Sequence, residues 1–237
     1  MTPERMTNQE PAMSPTTAPS IGFKTIFGRN LLAELPNFAH RPCLVVTMAD
    51  LWPRFGERFG GRVTPWMVDT IDGDELELAL ARIPESASVA GLGGGQAIDV
   101  AKFIAWRRRV PLFQFPTAMT VDAPFGHRSG LRFGGHVRYV GWAVPEAVYV
   151  DFDVIRSAPP GLNRSGICEI LCFHTAHADW RLARDRGRTE PQWPYDPRMI
   201  EEARSVMDGL LPHLDAVARV DETGIRALDR KSTRLNS

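Results

Sequence analysis

The sequence predicts an α/β protein, and three observations carry that prediction. From Lys24 onward, short apolar runs (KTIF, CLVVT, PWMVD, SVAGL and PLFQF) alternate with helical patterns, as expected for parallel strands joined by crossover helices. Between SVAGL and the helical AIDVAKFIAWRRR stand three consecutive glycines, Gly93, Gly94 and Gly95. Beyond Pro159 and Pro160 the β signal disappears and only helical patterns remain. The expected architecture is a Rossmann-like parallel-sheet N-terminal domain followed by an incomplete all-α C-terminal domain, incomplete because its last helical pattern is cut off without a cap.

Each element has a local justification. The strands are continuously apolar, which suits a sheet covered by helices on both faces. The helical patterns between them are NLLAELPNFA, ADLWPRFGERF, DELELALARI and the segment after the glycines. Asp72 to Asp74 supply a cap and an acidic first turn, and Pro84 lies just beyond the expected end of that helix. From Thr120 to Asp151, SGLRFGGHVRYVGW and AVYVDFDVI read as a hairpin excursion and a return strand. GLNRSGICEILCFHTAHADWRLARDRG then reads as one helix closing at Gly187. A further helix opens at Asp196 and Pro197, a cap followed by a first-turn proline.

The expected divisions are a disordered leader over 1–20, an α/β domain over 21–158, a partial helical domain over 159–229 and a tail over 230–237. The leader is rich in Thr, Pro, Ser, Met and Asn and has no signal-peptide or transit-peptide pattern. The tail, RKSTRLNS, resembles translated sequencing-adapter sequence and is read as non-native; an ordinary frayed terminus is the alternative. Ile200, Val206 and Leu210 form an apolar stripe on the C-terminal helices that is expected to lie exposed, with poor solubility as the consequence.

Lysine and arginine number 28, as do aspartate and glutamate, so the formal charge is zero. This balance excludes a broad electrostatic attraction to nucleic acid or to an anionic membrane, and any charged ligand must be held locally. The three cysteines, Cys43, Cys168 and Cys172, have no framework spacing and form no CxxC pair, which points to a reducing compartment. No apolar segment has the length of a membrane span. A soluble, cytoplasmic protein is expected.

The glycine triplet can turn sharply and let backbone N–H groups approach an anion at the positive end of the following helix. It matches neither the P-loop nor the GxGxxG spacing, and a tight strand-to-helix turn without a ligand accounts for it equally well. Asp50 follows the CLVVT strand, where a carboxylate can accept hydrogen bonds from an adenosine ribose; a surface loop is the alternative. PLFQF runs into a segment where Thr117, Thr120 and Asp122 present two hydroxyls and a carboxylate at the expected C-terminal edge of the sheet. Asp99 and Lys102 are spaced for an i,i+3 ion pair worth a few tenths of a kcal/mol. His127, Arg128, Arg132, His136 and Arg138 lie in the excursion and read as a solvated hairpin, with a phosphate contact as the alternative.

Three ordered blocks carry a family resemblance. GLGGGQAIDVAK and PTAMTVDAPFG resemble the GGGxxxDxAK and PTxxSxD pair of the iron-containing alcohol dehydrogenase and dehydroquinate synthase superfamily. VYVDFDVIRSAPPGLNRSGICEILCFHTAHADWRLA resembles the segment of sn-glycerol-1-phosphate dehydrogenases that passes from a strand-turn to a helix carrying GxGD and ending in DWxLA. The resemblance spans about Ile21 to Asp229.

This resemblance implies that Gly93, Gly94 and Gly95 bind the pyrophosphate of NAD or NADP and that Thr117 and Thr120 line the nicotinamide side. It also implies that Asp122 faces the substrate hydroxyls, and that a divalent metal (zinc, iron or nickel) is held by Glu169 together with two histidines from later helices. Glu169 stands where the glycerol-1-phosphate dehydrogenases have Asp, and its extra methylene displaces a metal unless the helix adjusts. The family's preceding glycine is Cys168, which narrows the backbone approach. His174 and His177 match no ligand position, lie about 80° to 140° around an ideal helix from Glu169, and are read as packed or supporting residues. His213 is too early to be a ligand, so the resemblance places both histidines beyond the last residue and assigns the activity to a longer parent.

For that parent the implied reaction is reduction of dihydroxyacetone phosphate to sn-glycerol 1-phosphate, a step of phospholipid biosynthesis, with hydride from the nicotinamide and a metal Lewis acid. The partner is a small polyol or triose phosphate, with homo-oligomers open and neither nucleic acid nor membrane involved. The rivals are a glycerol or polyol dehydrogenase, a dehydroquinate synthase-like sugar-phosphate cyclase, and a nucleotide-binding fragment without turnover.

Overall fold

The computed structural model of the protein describes residues 24–191 and 194–235, with backbone only at 173, 174 and 230–235. The leader read over 1–20 lies outside the described residues. Strands β1 (Thr25–Gly28), β2 (Cys43–Thr47), β3 (Thr64–Met67), β4 (Ser88–Gly93) and β5 (Leu112–Pro116) arise where the apolar runs are. Helices α1 (Leu31–Phe38), α2 (Trp52–Phe55), α3 (Gly73–Ala79) and α4 (Gly95–Arg108) connect them. An antiparallel hairpin, β6 (Ser129–Phe133) and β7 (His136–Val140), precedes β8 (Ala147–Asp151). Together β1 to β5 and β8 form one parallel six-stranded sheet in the order β1-β8-β5-β4-β2-β3.

Alternation along the strands sends side chains to two apolar layers, as the two-residue period of a strand requires. Leu44 and Val46 of β2 pack with Leu76 of α3 and Val100 and Ile104 of α4. Val45, with Ala90 and Leu92 of β4, packs on the other face with Leu32 and Leu35 of α1 and Phe55 of α2. Gly91 interrupts β4 where α4 comes close: a Cβ there would lie 2.9 Å from the Ala101 Cβ and 2.5 Å from Gln114 Oε1.

The order of connection sets where a crevice opens. From β2 the chain moves outward to β3, then returns past β2 to β4 on its other side. Between β2 and β4 the loops leaving the C-terminal ends therefore part in opposite directions, and open α/β sheets bind ligands at such a point.

The remaining elements are all helical: α5 (Phe152–Ser157), α6 (Pro160–Arg164), α7 (Gly166–Asp185), α8 (Pro197–Leu210), α9 (Leu214–Arg219) and α10 (Glu222–Leu235). The helix α10 runs on to Leu235, into the stretch read as a tail. Among the described residues no helix is long and apolar enough to cross a membrane.

Several local expectations need correction. AVYVDFDVI is a strand only as far as Asp151, whose carboxylate caps α5 by accepting the Asp153 and Val154 N–H groups and reaches across to Leu31 N at 2.7 Å. One carboxylate therefore serves the first turns of two helices. The helix expected from Gly161 to Gly187 is two, α6 and α7, separated at Ser165. The third helix stops at Ala79, short of Pro84, and the chain turns there, with the Arg82 and Ile83 N–H groups donating to the Ala79 carbonyl. The apolar stripe of the C-terminal helices is not left exposed: Val206 and Leu210 are fully buried with Ile225 and Leu228 of α10 and Val148 and Val150 of β8. The buried apolar face of β8 supplies the partner that the sequence pattern could not identify.

Candidate functional site

Gly93 ends β4 with φ +157°, a conformation that residues with a side chain rarely adopt, and a Cβ there would also lie 2.8 Å from the Ala97 Cβ. Both the backbone angle and the contact with the first turn of α4 demand glycine. Gly94 has φ −86° and ψ −164°, a conformation open to any residue, yet no atom lies within 4 Å of where its Cβ would be. The N-terminus of α4, a fourteen-residue helix, thus presents bare backbone to open space, where unsatisfied amides and the helix dipole favour an anion. A Cβ on Gly95 would sit 3.6 Å from Val121 Cγ2, so the turn faces the loop that carries Thr120 and Asp122.

That loop is fastened from three sides. The Thr117 N–H donates to the Gly93 carbonyl at 3.1 Å, tying the end of β5 to the glycine turn. The Met119 N–H donates to Asn163 Oδ1 at 2.8 Å, and Asn163 Nδ2 donates to the Ile155 carbonyl at 2.8 Å. Asn163 is buried, and its amide joins the loop to α5 and α6. From below, Lys102 of α4, itself buried, donates through Nζ to the carbonyls of Ala123 and Arg128 at 3.0 and 2.6 Å and pairs with Asp99 at 2.7 Å. The i,i+3 pair expected from spacing is thus a buried clamp on the 123–130 segment rather than a solvated surface contact.

Glu169 stands on the first turn of α7, which approaches the same loop closely. A Cβ on Gly166 would lie 2.1 Å from the Met119 carbonyl oxygen, so a side chain there would drive the helix away. The close approach expected near Cys168 is made by Gly166 instead, and Cys168 is exposed. Met119, Val121, Gly166, Glu169 and Leu228 line one small gap. Burial, and then the charge of Asp122, push the Glu169 carboxyl above its usual range. Asp122 also acts on Asp99, whose carboxyl is raised by burial more than Lys102 and the Gly130 N–H lower it. Asp122 therefore sits between a carboxylate of α4 and one of α7. Among the described residues no three of His, Cys, Asp and Glu gather into a metal-binding group. His177 is half-buried on α7, and the side chain of His174 lies outside the described residues.

A cleft of about 350 Å³ opens at the C-terminal ends of β2 and β3 and reaches Gln96 beyond β4, beside the point between β2 and β4 where the strand order reverses. Met48, Asp69, Thr70, Gln96, Arg132 and Gly135 are among its lining residues. Gln96 links it directly to the glycine turn. Asp50 is exposed and outside this lining; the residue just past β2 that faces the cleft is Met48. Sequence reasoning missed Met48, Thr70, Gln96, Asn163 and Gly166, and it placed Arg132 on a solvated hairpin. The strand alternation that puts Gly130 and Arg132 on one face of β6 was the available signal.

With this geometry in view, the relatives are informative. The family model for "Iron-containing alcohol dehydrogenase" matches residues 56–159. A glycerol-1-phosphate dehydrogenase [NAD(P)+] of Thermofilum pendens is 33% identical over 195 residues, covering 78% of this chain and 54% of that protein. Its counterpart from Hyperthermus butylicus is 33% identical over 150 residues, covering 59% of this chain and 42% of that protein. The chain spans about half the length of these two relatives. Among solved structures, a probable glycerol dehydrogenase from Sinorhizobium meliloti superposes with a TM-score of 0.72 at 20% identity, over 90% of this chain and 64% of that one. A sulfoacetaldehyde reductase from Bifidobacterium kashiwanohense, solved in complex with NAD+, gives 0.65 at 18% identity, over 91% and 64%. In its three sequence blocks and in these matches the chain is similar to the iron-containing alcohol dehydrogenase family, and the solved structures share its fold.

Proposed function

We propose that the protein carries the dinucleotide site, and part of the substrate site, of an NAD(P)-linked oxidoreductase that reduces dihydroxyacetone phosphate to sn-glycerol 1-phosphate. The observation that carries this reading is the bare N-terminus of α4 at Gly94, flanked on one side by the cleft and on the other by the loop of Asp122 and Glu169. The glycerol-1-phosphate dehydrogenases among its relatives support the choice of substrate.

In this reading the dinucleotide diphosphate lies against Gly94 and Gly95, where the amides of the first turn of α4 donate to it. A bound nicotinamide supplies the hydride that adds to the substrate carbonyl carbon, while a proton goes to its oxygen. Thr117 and Thr120 flank the nicotinamide side, and the Thr117 amide holds that edge in register with the glycine turn. Asp122 accepts a hydrogen bond from a substrate hydroxyl and fixes which carbon faces the nicotinamide. Glu169 holds a proton at its carboxyl more readily than a free glutamate does. For a divalent cation Glu169 is the family's carboxylate, but the described donors do not complete a cation site, and no step is assigned to one.

A second reading, a glycerol or polyol dehydrogenase, is favoured by TVDAPFG, which resembles that branch. Cofactor fluorescence of the purified protein with NADH and NADPH tests the dinucleotide site. Turnover with dihydroxyacetone phosphate or with glycerol, in the presence of zinc, iron(II) or nickel, tests the substrate. Absence of binding for both dinucleotides overturns the proposal; turnover of glycerol alone transfers it to the second reading.

A further inference from the structure

We propose that Arg132 reads the 2′-phosphate of NADP(H), making this cleft selective for the phosphorylated dinucleotide; the inference rests on the dinucleotide reading above. Its starting point is location. The cleft adjoins the glycine turn through Gln96 and extends along the ends of β2 and β3. If the diphosphate lies on Gly94 and Gly95, the direction away from Asp122 and Glu169 is toward this cleft, which then receives the adenosine half.

Dinucleotide folds select NAD with a carboxylate at the end of the neighbouring strand, which hydrogen-bonds the ribose 2′-hydroxyl and repels a phosphate there. Beside β4 that neighbour is β2, and the residue past its end that lines the cleft is Met48. Asp50 is exposed and outside the lining. The position that would exclude a 2′-phosphate is apolar and uncharged.

Opposite it stands a cation. The Arg132 main chain is fixed, its N–H donating to the Ile71 carbonyl at 2.9 Å, so β6 holds the side chain over the loop after β3. The Arg132 side chain is exposed, and among the described residues its guanidinium enters no ion pair. Its planar fork suits bidentate phosphate recognition. Thr70 adds a hydroxyl whose oxygen accepts the Asp72 N–H at 3.0 Å, leaving its proton to donate. Two carboxylates share the lining. Asp72 is occupied as the cap of α3, accepting the Asp74 and Glu75 amides, and exposed Asp69 is the rival reader that would favour NAD.

The experiment measures binding of NADPH and NADH to the 237-residue protein by fluorescence, with 2′-AMP and 5′-AMP as competitors. The inference expects NADPH to bind at least tenfold more tightly than NADH, and 2′-AMP to compete better than 5′-AMP. Arg132→Gln keeps the backbone bridge to Ile71; it should weaken NADPH about tenfold to a hundredfold while leaving NADH within twofold and the thermal midpoint unchanged. Equal binding of the two dinucleotides by the parent protein, or equal weakening of both in Arg132→Gln, overturns the inference and leaves the dinucleotide reading standing. A preference for NADH that disappears in Asp69→Asn assigns the selectivity to Asp69 and also overturns it. Failure of both dinucleotides to bind defeats the dinucleotide reading itself, and the inference with it.

Discussion

Gly94→Asp separates ligand binding from folding more cleanly than any other change at this site. Gly94 occupies the N-cap of α4 in an extended conformation that other residues adopt without strain, and no atom lies within 4 Å of a Cβ there. Aspartate is among the best N-caps, better than glycine by a few tenths of a kcal/mol, and its charge at the positive end of the helix adds about 0.3–1 kcal/mol. The fold should therefore hold or gain stability, with a thermal midpoint raised by about 1–4 °C for a chain of this size. The same carboxylate would face the dinucleotide diphosphate. One unit charge about 5 Å from another at an effective dielectric constant of about 20 costs about 3 kcal/mol, or roughly 200-fold in affinity. Differential scanning fluorimetry reads the first quantity and titration with NADPH the second. Undiminished NADPH affinity in a well-folded Gly94→Asp protein would refute the placement of the diphosphate at this turn.

Three further predictions concern the supports of the site. Lys102→Met leaves Asp99 and two carbonyls in a largely buried setting without their cation, at a cost of about 3 kcal/mol, seen as a drop of about 6–12 °C in thermal midpoint. Because burial already raises the Asp99 carboxyl, the stability tied to its protonated form is complete below about pH 3.9 and is lost as pH rises through the raised folded value. The deficit of Lys102→Met should accordingly shrink on acidification, and a deficit independent of pH would count against the clamp. Gly166→Ala places a Cβ against the Met119 carbonyl and should cost about 2–3 kcal/mol through displacement of α7; an unchanged urea midpoint would contradict that packing. Burial, reinforced by Lys102 and Arg128, holds the His127 imidazole below its usual range. A depressed folded pKa contributes stability that is present above about pH 6.5 and lost as pH falls through the lowered value. His127→Phe, which preserves a ring against Trp142, should flatten that acid limb in urea unfolding measured from about pH 7 to about pH 5. An acid limb of unchanged slope would remove His127 as its source.

Much of the α/β region was legible because its signals are local. Apolar runs with turn residues between them identified the five strands β1 to β5 and the hairpin, and Asp72 and Asp196 marked two helix starts that the structure confirms as caps. The glycine triplet was visible as a turn, but what each glycine does was not. Gly93 is required by Ala97 and Gly91 by Ala101 and Gln114, contacts between a strand and the helix packed on it. The sequence pattern also assigned the C-terminal stripe to an exposed surface, because the apolar face of β8 that receives Val206 and Leu210 lies far back in the chain.

The sequence alone determined the alternation of strands and helices, the parallel sheet it implies and the family the chain resembles, since periodicity, capping residues and short motifs act within a few residues of one another. Tertiary structure alone decided that Lys102 is a buried clamp, that Asn163 and Gly166 set the loop of Asp122 against Glu169, and that Met48 and Arg132 share a cleft. These arrangements join residues 21 to 84 positions apart along the chain, and the order in which parallel strands assemble, more than any local preference, brings them together.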